Sequence, residues 1–203
     1  MSLANYSDLK AAVARWMKRT DLAEFIPDFI AMGEARIYRD LRIRAMETAL
    51  NATISGGVIA VPAGYVELKN ARIELAPVRT LVRKDAEWIY ANYPMRSGDG
   101  FPKFIARETN SFIFGPYPDS GYTVKGTYYR RLDPLSDDNT FNWFTTNAPD
   151  LLLFAALCET EPFMKNDARV QLWEAKYGSV KDQVQSEDNR EAFSGSPLSM
   201  TAR

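Results

Sequence analysis

Residues 26–61 read IPDFIAMGEARIYRDLRIRAMETALNATISGGVIAV, and a change of rhythm inside them separates a helical part of the chain from a β part. Ile26, Ile30, Gly33, Ile37 and Leu41 recur in steps of four, three, four and four, which lines one face of a helix running to about Ile43. Pro27 stands near its start, where a missing N–H costs least. Gly33 inside the stripe sacrifices about 1 kcal/mol of helix propensity relative to Ala, so a close helix contact is expected there. From Met46 the period becomes two: Met46, Thr48, Leu50, Ala52 and Ile54 share a face, and Gly56-Gly57 turns the chain into Val58–Val61. That pattern predicts a β-hairpin.

Toward the N-terminus, Leu9, Val13, Trp16 and Met17 predict a first helix from about Ser7, its N-cap, to Lys18. Beyond the hairpin, Val66 and Leu68 share one parity while Ala71, Ile73 and Leu75 share the other. One bulge near Lys69-Asn70 brings both halves to the same core, because a one-residue slip turns every side chain over. Val78–Val82 reads as a short strand and Asp85–Tyr93 as a short helix ended by Pro94. Phe101–Arg107, Ser111–Phe114 and Tyr122–Arg131 read as three further strands, with Gly115-Pro116-Tyr117-Pro118-Asp119 as a rigid turn.

Leu132–Asn147 reads as a long loop anchored by Leu135 and Phe141–Phe144, and Asn147 as the cap of the next helix, with Pro149 in its first turn. That helix carries an eight-residue apolar run, Leu151–Cys158, too wide for a solvated face, so it is central in the fold or at an interface. Val170, Trp173, Tyr177, Val180 and Val184 space a last helix. From Ser186 onward the chain is polar, with Gly195 and Pro197 against regular structure. The fold class is therefore α+β: a helical bundle from 1–45 and 146–185, an inserted antiparallel β unit with a short helix and long loop at 46–145, and an extended or disordered tail at 186–203.

Composition narrows the chemistry. The 203 residues carry no histidine, 25 Lys plus Arg and 26 Asp plus Glu. Without imidazole, neither a Ser-His-Asp triad nor an HExxH zinc site can be built. The single Cys158 permits no internal disulfide and no multi-cysteine zinc site, and inside its apolar run it reads as a buried small hydrophobe. No catalytic, cofactor-binding or metal-binding residues are assigned. A net charge of −1 argues against a dedicated nucleic-acid binder. No stretch reaches a membrane span's length, and the N-terminal residues carry no leader pattern, so synthesis in the cytoplasm and no membrane partner are expected.

Two features point to surfaces that other molecules cover. Arg36, Arg39, Arg42 and Arg44 cluster around a single Asp40 at the end of the second helix. There they either complement the negative helix end or form a partner interface, where the planar guanidinium suits carboxylates, phosphates and carbonyls. Aromatic side chains make up 12% of the chain, and Tyr117, Tyr129, Phe141 and Trp143 are candidate contacts to a neighbour or tail component. In the tail, Phe193, Leu198 and Met200 are isolated apolar residues whose burial against a partner, at about 1.5–3 kcal/mol each, offsets the cost of ordering it.

The order helix, helix, bulged β unit, helix, helix resembles the head-to-tail adaptor, or connector, proteins of short-tailed bacteriophages. The likeness rests on Tyr6-Ser7-Asp8-Leu9-Lys10 with Trp16, Ile26–Ile30 with Glu34–Ile37 and Arg39–Arg42, Val61-Pro62-Ala63-Gly64-Tyr65, Gly115–Asp119, Asn142-Trp143, and Ala148-Pro149-Asp150-Leu151. The resemblance implies a structural virion protein of the tail neck, a homo-oligomeric ring of about twelve copies between portal and tail nozzle with a central DNA channel. Tail fibres are a further partner in some phages, DNA contact in the lumen is at most non-specific, and no cofactor is implied. The aromatic supply leaves one alternative, a β-rich carbohydrate-binding module or carboxylate-dependent hydrolase of a virion, which needs aligned rings or a carboxyl pair across a cleft.

Overall fold

The computed structural model describes residues 3–19, 21–98, 100–164 and 167–193. The chain is α+β and divides into two compact units, one from residues up to Ala45 together with those from Leu132, the other from Met46–Arg131.

The first unit is built from α1 (Tyr6–Met17), α2 (Ile26–Asp40), α4 (Trp143–Asn147), α5 (Pro149–Met164) and α6 (Asp167–Phe193), with α3 belonging to the other unit. Asn5, not Ser7, caps α1: its side-chain oxygen accepts the Asp8 N–H at 2.9 Å, while the Tyr6 N–H is taken by Thr140. A short 3₁₀ turn, Ala23–Phe25, leads into α2, whose Pro27 lies in the first turn as expected. α5 is the hub, packed by α1, α2, α4 and α6, so its wide apolar run is central. Leu151, Ala155, Ala156 and Leu157 are fully enclosed. At the α2–α5 contact the Gly33 position lies 2.9 Å from the Ala156 backbone nitrogen and 3.0 Å from the Ala155 carbonyl carbon, measured from where a Cβ would stand. The glycine thus sets the approach of the two backbones. Trp16 meets Phe154 and Trp173 edge-on, with centroids 6.1 and 5.4 Å apart, tying α1, α5 and α6.

Three further expectations for this unit are corrected. Asn147 does not cap α5; Asn142 starts an additional turn, α4, through a reciprocal capping box with Thr145, and the Asn147 amide donates to Trp143 at 2.9 Å. Leu132–Asn142 belongs with the helices, not with the β unit, because Tyr38 donates to Leu132, Lys10 pairs with Asp137 at 2.6 Å, and Leu135 is buried. Helix α6 runs past Gln185 to Phe193, so part of the expected tail is helical. The cause is local composition plus a tertiary contact: Glu187, Arg190, Glu191 and Ala192 favour helix, and Gln185, Asp188 and Glu191 grip the Arg42–Arg44 segment.

The second unit holds β1 (Glu47–Thr53), β2 (Val58–Ala60), β3 (Tyr65–Ile73), β4 (Arg79–Thr80), β5 (Val82–Arg83), α3 (Ala86–Asn92), β6 (Phe104–Glu108), β7 (Ser111–Gly115) and β8 (Thr123–Arg130). One sheet has the order β1-β8-β3-β4, the other β2-β7-β6-β5, with only β5–β6 parallel. The expected β1–β2 hairpin is therefore corrected: apart from a bridge between Ser55 and Val58, the two strands enter different sheets. Leu50 and Ile54 then oppose Ile59 through the shared core, with Leu68, Ile73, Phe112, Phe114 and Val124. A flat hairpin would have kept them in one layer.

The anticipated bulge is present between Leu68 and Asn70, and a second register shift lies between Tyr65 and Glu67. Just beyond the first, Gly126 pairs with Ala71, and any Cβ on it would collide with the Asn70 carbonyl oxygen, so the glycine makes room for the bulged segment. The stretch expected as one strand at Val78–Val82 splits at buried Leu81, β4 serving one sheet and β5 the other. Asp85 caps α3, accepting the Trp88 N–H at 2.7 Å. Below α3, Ile89 packs on Ala106 and Ile113, so the second sheet is covered on both faces, which explains the unbroken apolar run of β7.

Gly33→Ala is expected to lower stability despite regaining about 1 kcal/mol of propensity, because the methyl must push α5 away at an overpacking cost of about 1–3 kcal/mol. A thermal midpoint at or above wild type would contradict the close contact.

Candidate assembly interface

The four clustered arginines serve different ends. Arg36, on the third turn of α2, points at α6, donating through Nη1 and Nη2 to the Glu174 carboxylate at 2.8 and 2.5 Å. Glu159 of α5 lies 3.7 Å away, Asp40 lies 4.0 Å away, and the guanidinium sits 4.6 Å over the Tyr177 ring. Tyr177 donates in turn to Asp40 at 2.8 Å. Hydrogen bonding to Glu174 holds the Arg36 cation well above its ordinary pKa, and burial, helped by the bond to Asp40, raises that of Tyr177. Arg36 is thus a partly buried clasp of three helices, the kind of planar, bidentate pairing for which Arg is suited.

Arg42 lies just past the end of α2 and donates from Nη1 to the carbonyls of Tyr38 and Leu41 at 2.8 and 2.7 Å, satisfying acceptors that a helix end leaves open. Its backbone exchanges hydrogen bonds with the Gln185 amide at 3.4 and 3.2 Å. Arg44 donates from its backbone N–H and Nε to Asp188, at 3.0 and 3.3 Å, and also pairs with Glu191. Arg39 differs: it is exposed and meets no carboxylate among the described residues.

The aromatic candidates fall in both units. In the β unit, Tyr117 is half-buried beneath the Arg96 guanidinium at 5.0 Å, and Tyr129 is half-buried with the Lys69 ammonium 5.9 Å from its ring. In the helical unit, Phe141 is 58% exposed. Trp143 is half-buried, edge-on to Phe144 at 5.3 Å, and lines a small cleft with Val184, Asp188 and Glu191. The structure therefore brings Trp143 beside the carboxylates that hold Arg44. Phe193 is the last described residue of α6; its side chain, with Leu198 and Met200, lies outside the described residues.

Sequence reasoning missed Glu34 as a structural centre. It is 3% exposed, accepts the Leu135 N–H at 3.2 Å and the Asn142 amide at 2.9 Å, and so straps the segment after Leu132 to α2. Burial outweighs those two donors and pushes its carboxyl from the ordinary 4.5 up to about 7. The signal was available: Glu34 lies four residues after Ile30 and three before Ile37, on the apolar stripe. Burial likewise pushes the Cys158 thiol up to about 12, so it stays protonated and inert at neutral pH. Among the described residues there is no cluster of three or more Cys, Asp or Glu able to hold a metal ion, and no helix long and apolar enough to cross a membrane.

Paired charges knit α2, α5 and α6 together, and of the four aromatic candidates Phe141 is the exposed one. The chain belongs to the SU10 adaptor protein family, whose profile matches residues 4–201, and is thus a bacteriophage adaptor, a structural component of the virion. A comparison with curated proteins returned no match.

Two outcomes follow. Arg36→Ala removes the bidentate partner of Glu174 and the cation over the Tyr177 ring, and is expected to cost about 1–3 kcal/mol by urea denaturation, below the figure for fully buried pairs because solvent reaches this one. Arg39→Ala is expected to stay within about 0.5 kcal/mol, and equal losses would refute the division of roles. For Glu34, the folded chain binds a proton more tightly than the unfolded chain. The contribution of Glu34 to stability is therefore fully present below about pH 4.5 and is lost as pH rises toward about 7, by at most ~1.4 kcal/mol per unit. Urea midpoints across that window should show a slope in wild type that Glu34→Gln flattens; an unchanged slope would refute the assignment.

Proposed function

We propose that this adaptor forms a closed ring of about twelve copies between the portal and the tail nozzle in the neck of the virion, with a central channel for DNA. The helical unit and the C-terminal segment dock on the portal, Arg39 supplies a cation to that contact, and the β unit, with Tyr117 and Tyr129, faces neighbouring copies or the nozzle. In phages that carry them there, tail fibres attach to the same ring. The observation that carries this reading is the family match, which runs from residue 4 to 201 and so embraces both units and the C-terminal segment.

Further support comes from the disposition of charge. Arg36, Arg42 and Arg44 are engaged within the helical unit, leaving Arg39 as the member of the cluster that meets no carboxylate among the described residues. The near-neutral chain suits a channel wall past which DNA must slide without strong attraction. The carbohydrate or hydrolase alternative gains nothing from the aromatic residues, since Tyr65 stacks on Tyr128 and Tyr122 meets Phe101 edge-on within the β unit's packing.

Mixing the full chain with the portal of its phage and measuring the mass of the product tests the reading. A complex of many copies is expected, and its affinity should fall on deleting residues 186–203 and, with an unchanged thermal midpoint, in Arg39→Ala. A wild-type chain that leaves the portal unoccupied, or binds it as a single copy, would overturn it.

A further inference from the structure

The two ends of α1 carry opposite chemistry. At its start lies the turn Ser136–Phe141, which its own hydrogen bonds hold in place. Ser136 donates its N–H to the Asn139 carbonyl at 3.0 Å, and the Asn139 N–H returns to Ser136 Oγ at 3.0 Å. The Asn139 amide donates to the Pro134 carbonyl at 2.8 Å, and the Tyr6 N–H pins Thr140 to the helix at 2.9 Å. The side chains that this turn exposes are acidic and aromatic. The Asp137 side chain is 86% exposed even though Lys10 pairs with it, Asp138 is exposed, and so is Phe141.

At the other end of the helix, Arg15, Trp16 and Lys18 join Arg169, Leu172 and Trp173 of α6 to line an open groove of about 430 Å³. Its floor is apolar: the half-buried Trp16 meets the buried Trp173 edge-on, and Leu172 beside them is 49% exposed. Its rim is three exposed cations, and no carboxylate among the described residues lines it. The unit as a whole carries more Asp and Glu than Lys and Arg, so this basic rim is a local feature and not a reflection of overall charge. An apolar floor within a cationic rim fits an apolar ring flanked by carboxylates, since Arg suits carboxylate geometry and buried aromatics carry much of an interface's energy.

The turn at the start of α1 has that chemistry, with Asp137 and Asp138 closely followed by Phe141. It does not line its own chain's groove: Tyr6, which pins the turn, and Trp16 are separated by about 15 Å of helix. A ring of identical copies needs a heterologous contact, one surface meeting a different one on the next copy. We propose that Phe141 of one copy enters the groove of its neighbour between Trp16 and Leu172, with Asp138 and the open side of Asp137 set against Arg15, Lys18 and Arg169. This rests on the ring reading above and names a subunit contact within it. Because the turn is already fixed by its own hydrogen bonds, it loses little freedom on docking. The opposed charges steer the encounter and make the contact sensitive to salt.

With portal present, Phe141→Ala and, separately, Arg15→Glu with Lys18→Glu are expected to keep wild-type circular dichroism and thermal midpoint, because all three residues are exposed. Both are expected to form rings with a roughly tenfold or greater loss of affinity. Asp138→Lys should lose rings likewise, and adding it to Arg15→Glu with Lys18→Glu in one chain should restore them by exchanging the signs. Phe141→Cys chains and Leu172→Cys chains, mixed with portal and treated with a short bismaleimide, should couple to each other, with buried Cys158 silent in the wild-type control. Rings at wild-type level from folded Phe141→Ala, no rescue on exchanging the signs, or failure of the two cysteine chains to couple with each other would overturn the proposal while leaving the ring reading intact. A wild-type chain that forms no ring on the portal overturns both readings, so the two failures are told apart.

Discussion

The helical unit depends on how closely α2 can approach α5. At Gly33 the two backbones come near enough that even a methyl group would press on the Ala155–Ala156 peptide. This proximity fixes where the next residues of α2 point. Glu34 reaches the Leu135 N–H and the Asn142 amide, and Arg36 reaches Glu174 and lies over Tyr177. One turn of helix therefore joins the segment after Leu132 on one side and α6 on the other. The two contacts differ in kind: Arg36 finds carboxylates and keeps its charge, whereas Glu34 finds only neutral donors, so burial favours its protonated form.

The β unit rests on a comparable constraint. Gly126 of β8 yields the space into which the Asn70 carbonyl bulges, and that bulge returns Leu68, Ala71 and Ile73 to one core. Because β8 lies between β1 and β3, its register governs the whole sheet, including which backbone groups of β1 are left on the open side.

Much of this was legible in the residues. The α2 stripe, Pro27 in its first turn, the bulge at Lys69, the short helix beginning near Asp85 and the enclosed position of α5 all follow from local pattern, because helix period and strand alternation act over a few residues. The larger misreadings share one cause. Gly56-Gly57 predicts a turn, but whether the strands on either side pair with each other or with β8 and β7 depends on partners more than fifty residues away. The arginine cluster was visible as a cluster, yet its division into clasp, helix-end cap and exposed cation depends on Glu174, Gln185 and Asp188, far along the chain.

The elements, their buried faces and the absence of imidazole chemistry were thus settled by composition and short-range periodicity. Tertiary packing decided which strands share a sheet, which side chains neutralise the arginines, how far α6 continues, and which donors meet the buried Glu34. The physical reason is range: propensities and caps are properties of neighbouring residues, whereas sheet order, ion pairing and desolvation arise only when distant segments exclude water together.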